Sequence, residues 1–113
     1  MDLVELHSTE VSSFITLLEN RGKFHQGTNI LVGGTDMGKF NWYWLKSGQT
    51  ANMDGKWLNG EPNNNGGREH CLCIGRRSEG VGFNDIECSG TELSGFICQD
   101  VTKVNNIDLR FGV

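Results

Sequence analysis

Carboxylate and amide side chains are concentrated in two short stretches of this sequence, and their types suit metal binding. The first stretch, 61–69, reads Glu-Pro-Asn-Asn-Asn-Gly-Gly-Arg-Glu, and the second is the pair Asn84-Asp85. Ca²⁺ prefers about six to eight oxygen ligands and tolerates irregular geometry, so a loop and a strand end can share one ion. The sequence therefore predicts a calcium site with the ligands Glu61, Asn63, Glu69, Asn84 and Asp85.

Pro62 is the single proline of the chain and separates the first two predicted ligands. An X-Pro bond can adopt cis at a modest intrinsic cost of about 0.5–1 kcal/mol. A cis bond would direct Glu61 and Asn63 to the same side, whereas the alternative is an ordinary proline turn. The sequence alone leaves both open.

The elements that must position these side chains are short. Apolar residues at helical spacing predict a helix over 9–21, which Ser8 or Thr9 can cap at its start and Gly22 would end. Alternating apolar residues between turn signals predict strands, the second of which Gly33-Gly34 would close. The predicted strands are 3–6, 30–32, 70–74, 81–84 and 95–98.

Residues 46–68 are rich in Gly and Asn and show neither helical nor strand periodicity. Loops longer than about 12–15 residues in a compact domain tend to be functional or disordered. Because Trp57, Leu58 and Pro62 can anchor this segment, we expect an ordered functional loop. The large aromatic residues are expected in the core: Trp42, Trp44, Trp57 and Phe83.

Length and charge exclude several partner classes. A chain of 113 residues fits one domain. A net charge of −4 argues against a long positive patch, so nucleic acid and anionic membrane surfaces are not expected as partners. No run approaches the roughly 18 apolar residues of a membrane span, so membrane insertion is not expected. Four cysteines crowded into one part of the chain favour disulfides in a secreted domain.

Several motifs occur in an order that resembles the C-type lectin domain, specifically its Glu-Pro-Asn, mannose-type subclass. They are Leu3-Val4-Glu5-Leu6, Leu31-Val32-Gly33-Gly34-Thr35-Asp36, Trp57-Leu58-Asn59-Gly60, Glu61-Pro62-Asn63, Phe83-Asn84-Asp85 and Gly95-Phe96-Ile97-Cys98. The resemblance covers about residues 1–99 and leaves 100–113 as a C-terminal tail. It implies an α+β fold with small antiparallel sheets, one or two helices and a long calcium-binding loop region. The family's usual first strand and helix would precede Met1, so we expect an N-terminally shortened domain.

The resemblance also implies a function: calcium-dependent carbohydrate binding without enzymatic activity, in secreted recognition of cell-surface or microbial glycans, with oligomerisation raising avidity. Of the five predicted calcium ligands, Glu61, Asn63, Glu69 and Asn84 would also bond sugar hydroxyls. The order Glu61 then Asn63 favours mannose, fucose or N-acetylglucosamine, and galactose stays open. A single ion is expected, because Phe40, Asn64 and His70 occupy the places where some relatives have acidic residues of a second site.

Four cysteines allow three pairings. Cys71 and Cys73 would point the same way from one strand, close to the upper limit of disulfide geometry, so a bond between them is unfavourable. The resemblance implies a Cys71–Cys88 disulfide. Cys98 would then be free, paired with Cys73 after rearrangement, or available to another chain.

Two other chemistries fit less well. His70, Cys71 and Cys73 lack the spacing and the second ligand pair of a zinc site. The three histidines, His7, His25 and His70, lie in separate contexts without a nucleophile motif, which argues against a hydrolase. The remaining alternative is a lectin-like protein-interaction module that binds no sugar.

Overall fold

One helix and seven strands make up the regular structure of the residues that a computed structural model of the protein describes. The residues described are 2–7, 11–22, 24–39, 41–53, 55–90, 92–99 and 109–112. The elements are β1 (Asp2–Leu3), α1 (Val11–Asn20), β2 (Asn29–Thr35), β3 (Tyr43–Trp44), a 3₁₀ turn (Asn65–Gly67), β4 (Cys71–Arg77), β5 (Gly80–Ile86), β6 (Gly95–Gln99) and β7 (Leu109–Gly112).

The helix α1 confirms the predicted apolar stripe. Phe14 and Leu18 are buried, and Val11 and Ile15 pack against the same core. Gly22 ends the helix as expected, because its positive φ of 64° suits glycine and its N–H donates to the Glu19 carbonyl at 3.0 Å. The predicted capping residues, Ser8 and Thr9, lie outside the described residues.

The strands form one sheet in the order β1-β6-β2-β4-β5, with β3 on β2 and β7 on β6. All pairings are antiparallel except that of β2 with β6. The resemblance implied small antiparallel sheets. The described strands form one sheet, because β2, which precedes the long loop, pairs with both β4 and β6, which follow it. Residues 109–112, assigned from sequence to the tail, pair with β6. These elements confirm the α+β class.

The sequence predicted that Gly33 and Gly34 close β2. This prediction is wrong, because both glycines lie within the strand. The pairing of β2 with β4 is irregular between Val32 and Thr35. A Cβ atom on Gly33 would lie 2.9 Å from the Leu3 carbonyl oxygen, and one on Gly34 would lie 2.5 Å from a Leu72 methyl carbon. These glycines therefore allow close approach of neighbouring chain segments rather than a turn.

The core lies between α1 and the sheet and contains Trp44, Leu72, Ile74 and Ile97, each at most 1% exposed. Trp44 and Phe83 are buried as predicted. Trp42 and Trp57 are only partly buried and pack against this core. In the described part of the chain, no helix is long and apolar enough to cross a membrane.

The long loop is attached to β5 by backbone hydrogen bonds. The Leu58 N–H donates to the Phe83 carbonyl at 2.9 Å, and the Phe83 N–H donates to the Lys56 carbonyl at 2.8 Å. Gly82 permits this contact, since a Cβ atom there would lie 2.8 Å from the Lys56 carbonyl oxygen. The loop thus begins its polar stretch beside the strand that carries Asn84 and Asp85.

Candidate functional site

Asp85 connects the two polar stretches that the sequence predicts to form one site. Its side chain is buried near the end of β5, with the residue 1% exposed. Asp85 Oδ1 accepts the N–H of Asn63 at 3.2 Å, and Oδ2 accepts the N–H of Asn64 at 2.6 Å. Hydrogen bonds to an ionised acceptor are stronger than neutral ones, so this carboxylate fixes the loop directly after Pro62. The Glu61–Pro62 peptide bond is cis, which is the first of the two possibilities that the sequence left open.

The segment after Asn63 closes on itself through further hydrogen bonds. The Asn65 N–H is shared between Asn63 Oδ1 at 3.2 Å and Glu69 Oε1 at 3.1 Å. The Glu69 N–H donates to Asn64 Oδ1 at 3.0 Å. Asn64 has a left-handed backbone with φ 45°, a conformation that asparagine tolerates better than most residues. This structural role of Asn64 was not predicted from the sequence, although asparagine is among the residues that favour turns.

Glu61 is held by Arg77, the last residue of β4. Arg77 Nη2 donates to Glu61 Oε2 at 2.8 Å. The hydrogen bond to Glu61 raises the pKa of Arg77 above its usual value. The role of Arg77 was not predicted from the sequence, because no local pattern indicates that a residue 16 positions away contacts Glu61.

The carboxylates of the site influence one another electrostatically. The pKa of Glu69 is raised, chiefly by burial, and the negative charges of Asp85 and Glu61 add to the effect, while the hydrogen bond from the Asn65 backbone opposes it. A nearby like charge disfavours the ionised form, so the charges of Asp85 and Glu61 make ionisation of Glu69 less favourable. A cation placed among them would relieve this repulsion.

The described residues fit Ca²⁺ by donor type. Glu61 Oε1 is buried and has no hydrogen-bond donor among the described residues. A buried carboxylate oxygen without a donor is costly, and a hard cation would satisfy it. Acidic groups alone do not suffice, because within the described residues no three His, Cys, Asp or Glu side chains are grouped to hold a metal. A calcium shell here would need the amide oxygens of Asn63, which is exposed, and Asn84, which is partly buried.

His70 contacts Asp36 beside the site. Its Nδ1 lies 2.9 Å from Asp36 Oδ1, within hydrogen-bond distance. This hydrogen bond is the main cause of a raised pKa of His70. The contact engages one carboxylate oxygen of Asp36, and the expectation of a single ion stays a prediction.

The structure contains the Cys71–Cys88 disulfide, with Cα atoms 5.2 Å apart, and it joins the start of β4 to the segment after β5. Cys73 and Cys98 are free. Cys73 on β4 and Cys98 on β6 are separated by β2, and strands about 4.8 Å apart place them near 10 Å, beyond disulfide reach. Burial raises the pKa of the Cys73 thiol to about 12.

We call residues 59–65, which contain the cis Glu61–Pro62 bond, the cis-proline loop. A groove of about 450 Å³ adjoins this loop at Pro62. Trp42 and Trp57 meet edge to face in its wall, with ring centroids 5.5 Å apart. The groove is lined by Asn41, Trp42, Thr50, Ala51, Asn52, Met53, Trp57 and Pro62. Indole rings beside amides offer both apolar contact and hydrogen bonds to a ligand.

Comparison with known proteins identifies the class of this fold. No family model matches the chain. Ladderlectin of Oncorhynchus mykiss is 37% identical over 108 residues, which cover 93% of this chain and 54% of ladderlectin. C-type lectin domain family 4 member A of Rattus norvegicus is 33% identical over 97 residues, which cover 86% of this chain and 37% of that protein. The chain thus spans about half or less of the length of these two relatives.

Solved structures agree. The C-type lectin domain of murine dendritic cell inhibitory receptor 2, in complex with N-glycan, superposes with a TM-score of 0.57 at 31% identity, covering 76% of this chain and 62% of the other. C-type lectin CEL-I of Cucumaria echinata gives 0.59 at 26% identity, covering 78% and 61%. The fold is therefore that of C-type lectins, a class of binding proteins rather than enzymes. This chain is a C-type lectin domain.

Proposed function

We propose that this domain binds carbohydrate through a calcium ion held by Glu61, Asn63, Glu69, Asn84 and Asp85. The observation that carries the proposal is the buried Glu61 Oε1, which has no hydrogen-bond donor in the described part of the chain, within a set of oxygen ligands. Asp85 supports it, because its hydrogen bonds hold the Asn63 segment beside β5.

Sugar recognition follows from the donors and acceptors of four of these residues. The bound ion would accept lone pairs from two neighbouring sugar hydroxyls. Glu61 and Glu69 can accept the hydroxyl protons, and the amide groups of Asn63 and Asn84 can donate to the hydroxyl oxygens. Each hydroxyl then uses its full hydrogen-bonding capacity, which favours a sugar over water.

The sugar class we propose is mannose-type, which includes fucose and N-acetylglucosamine. The order of Glu61 before Asn63 supports it, since it places an acceptor ahead of a donor along the loop. The similarity to a domain solved with an N-glycan supports glycans as the ligand class. The groove at Pro62 adds indole and amide groups that a longer glycan could contact. Galactose binding is the alternative outcome.

We further propose that the domain acts outside the cell on cell-surface or microbial glycans. The Cys71–Cys88 disulfide supports this location, because disulfides persist in oxidising compartments. A salivary C-type lectin of Aedes albopictus, 30% identical over 92 residues, is among the relatives. Oligomerisation would raise the avidity of weak single sites.

Glycan-array binding of the purified chain, with calcium and with EDTA, tests the proposal. We expect binding to mannose-type glycans that EDTA removes and that Glu61→Ala abolishes. Glu19→Ala is the matched control, since it removes the same charge from α1, where Glu19 contacts Arg76 at 3.5 Å. Calcium-independent binding, or full binding by Glu61→Ala, would refute the proposed site.

A second candidate is a lectin-like protein-interaction module that binds no sugar. One observation favours it: within the described residues, no three His, Cys, Asp or Glu side chains are grouped to hold a metal. Folded protein that gives no calcium-sensitive signal on any glycan would support this candidate.

A further inference from the structure

Arg77 makes contacts that tie the end of the β4–β5 hairpin to the cis-proline loop. Besides its 2.8 Å bond to Glu61 Oε2, the guanidinium donates through Nη1 to the Asn59 carbonyl at 3.5 Å. Glu79 lies beside the same guanidinium, with Oε1 3.8 Å from Nη1. The planar fork of arginine suits such simultaneous contacts, whereas the single ammonium group of lysine does not.

The two oxygens of Glu61 have different surroundings. The side chain is 8% exposed, so neither oxygen is freely hydrated. Oε2 accepts the bond from Arg77, while the buried Oε1 has no donor among the described residues. The carboxylate is therefore anchored through one oxygen and presents the other.

We propose that Arg77 is a positioning residue for calcium: it anchors Glu61 through Oε2 so that Oε1 is presented to the ion. This inference rests on the proposed calcium site. Groups that hydrogen-bond to a metal-binding carboxylate fix its orientation, and their loss commonly lowers metal affinity about 10–100-fold. The positive charge of Arg77 repels the ion, but anchoring dominates because the Glu61 side chain is only 8% exposed and its carboxylate, without the bond from Arg77, would adopt other rotamers.

Arg76 provides a matched control in the adjacent position. Both arginine side chains are 36% exposed. Arg76 contacts Glu19 on α1 at 3.5 Å, whereas Arg77 contacts Glu61. Replacing either arginine by methionine removes one positive charge and keeps most of the apolar stem, but only Arg77→Met removes the anchor of Glu61.

The test is calorimetric titration of the full chain with CaCl₂. We expect Arg77→Met to bind calcium about 10–100-fold more weakly than the unmodified protein and Arg76→Met to bind as tightly as the unmodified protein. Arg77→Lys should lie between them, because lysine can donate to Oε2 but lacks the planar fork whose second nitrogen reaches the Asn59 carbonyl. If the charge alone mattered, Arg77→Lys would bind calcium as the unmodified protein does, because lysine keeps the positive charge.

Circular dichroism in EDTA checks that each variant is folded. If Arg77→Met does not fold, Arg77→Lys carries the test and must bind more weakly than the unmodified protein. Equal or tighter calcium binding by folded Arg77→Met, or an equal loss in Arg76→Met, would overturn the assignment of Arg77 alone. A lack of calcium binding by the unmodified protein would instead overturn the proposed site and this inference with it.

Discussion

Replacing Asp85 by alanine should destabilise the protein even when no calcium is present. This carboxylate accepts the backbone N–H groups of Asn63 and Asn64, and it is buried. Its loss therefore removes the attachment of the cis-proline loop to β5. Most metal ligands are expected to repel one another in the empty state, so a ligand whose removal destabilises the empty protein is distinctive.

The expected magnitude follows from the two hydrogen bonds. A hydrogen bond to a charged group contributes about 1.5–3 kcal/mol. Asn63 and Asn64 are exposed, so their freed N–H groups can bond to water, and we expect less than the sum of two such bonds, about 2–3 kcal/mol in total. For a domain of this size, the melting temperature should then fall by on the order of 10 °C.

Thermal and urea unfolding in EDTA would measure this loss. Asn84→Ala is the matched comparison, because it removes the neighbouring predicted ligand, and no hydrogen bond joins the Asn84 side chain to the loop among the described residues. We expect both variants to lose calcium binding but only Asp85→Ala to lose about 2–3 kcal/mol of unfolding free energy in EDTA. If Asp85→Ala matched the unmodified protein in EDTA, the structural role assigned to its carboxylate would be wrong.

Three further predictions concern Glu69 in the site, Gly82 beside it and the two free cysteines. Burial and neighbouring carboxylates raise the pKa of Glu69, so its proton is held more tightly in the folded state. The contribution of Glu69 to stability in EDTA should therefore be fully present below the pKa of the unfolded state and be lost as pH rises through the raised pKa of the folded state. Glu69→Gln should flatten this part of the profile of melting temperature against pH. Gly82→Ala should cost about 1–3 kcal/mol by urea unfolding, since its Cβ would lie 2.8 Å from the Lys56 carbonyl oxygen, and an unchanged midpoint would contradict this packing. Iodoacetamide at pH 8 should label Cys98 before Cys73, because burial raises the pKa of Cys73 to about 12, and mass spectrometry of the peptides would reveal the reverse order if it occurred.

The sequence predicted the elements whose pattern is local. The apolar spacing on α1 and the stop at Gly22 were both confirmed, since helix periodicity and a left-handed glycine are properties of nearby residues. Gly33 was misinterpreted, because a glycine that closes a strand and one that allows close approach look alike until the neighbouring segment is known. The same limit explains why Trp57 was expected in the core but lies partly exposed on the groove.

The candidate site divides in the same way. The sequence by itself determined which oxygen-bearing residues are available, the unique proline between two of them, and the motif order that resembles C-type lectins. Only the tertiary structure decided that Asp85 holds the loop, that Arg77 anchors Glu61, and that the other Glu61 oxygen has no donor among the residues described. These contacts join residues 16–22 positions apart along the chain, and their distances depend on strand pairing and loop closure rather than on residue type.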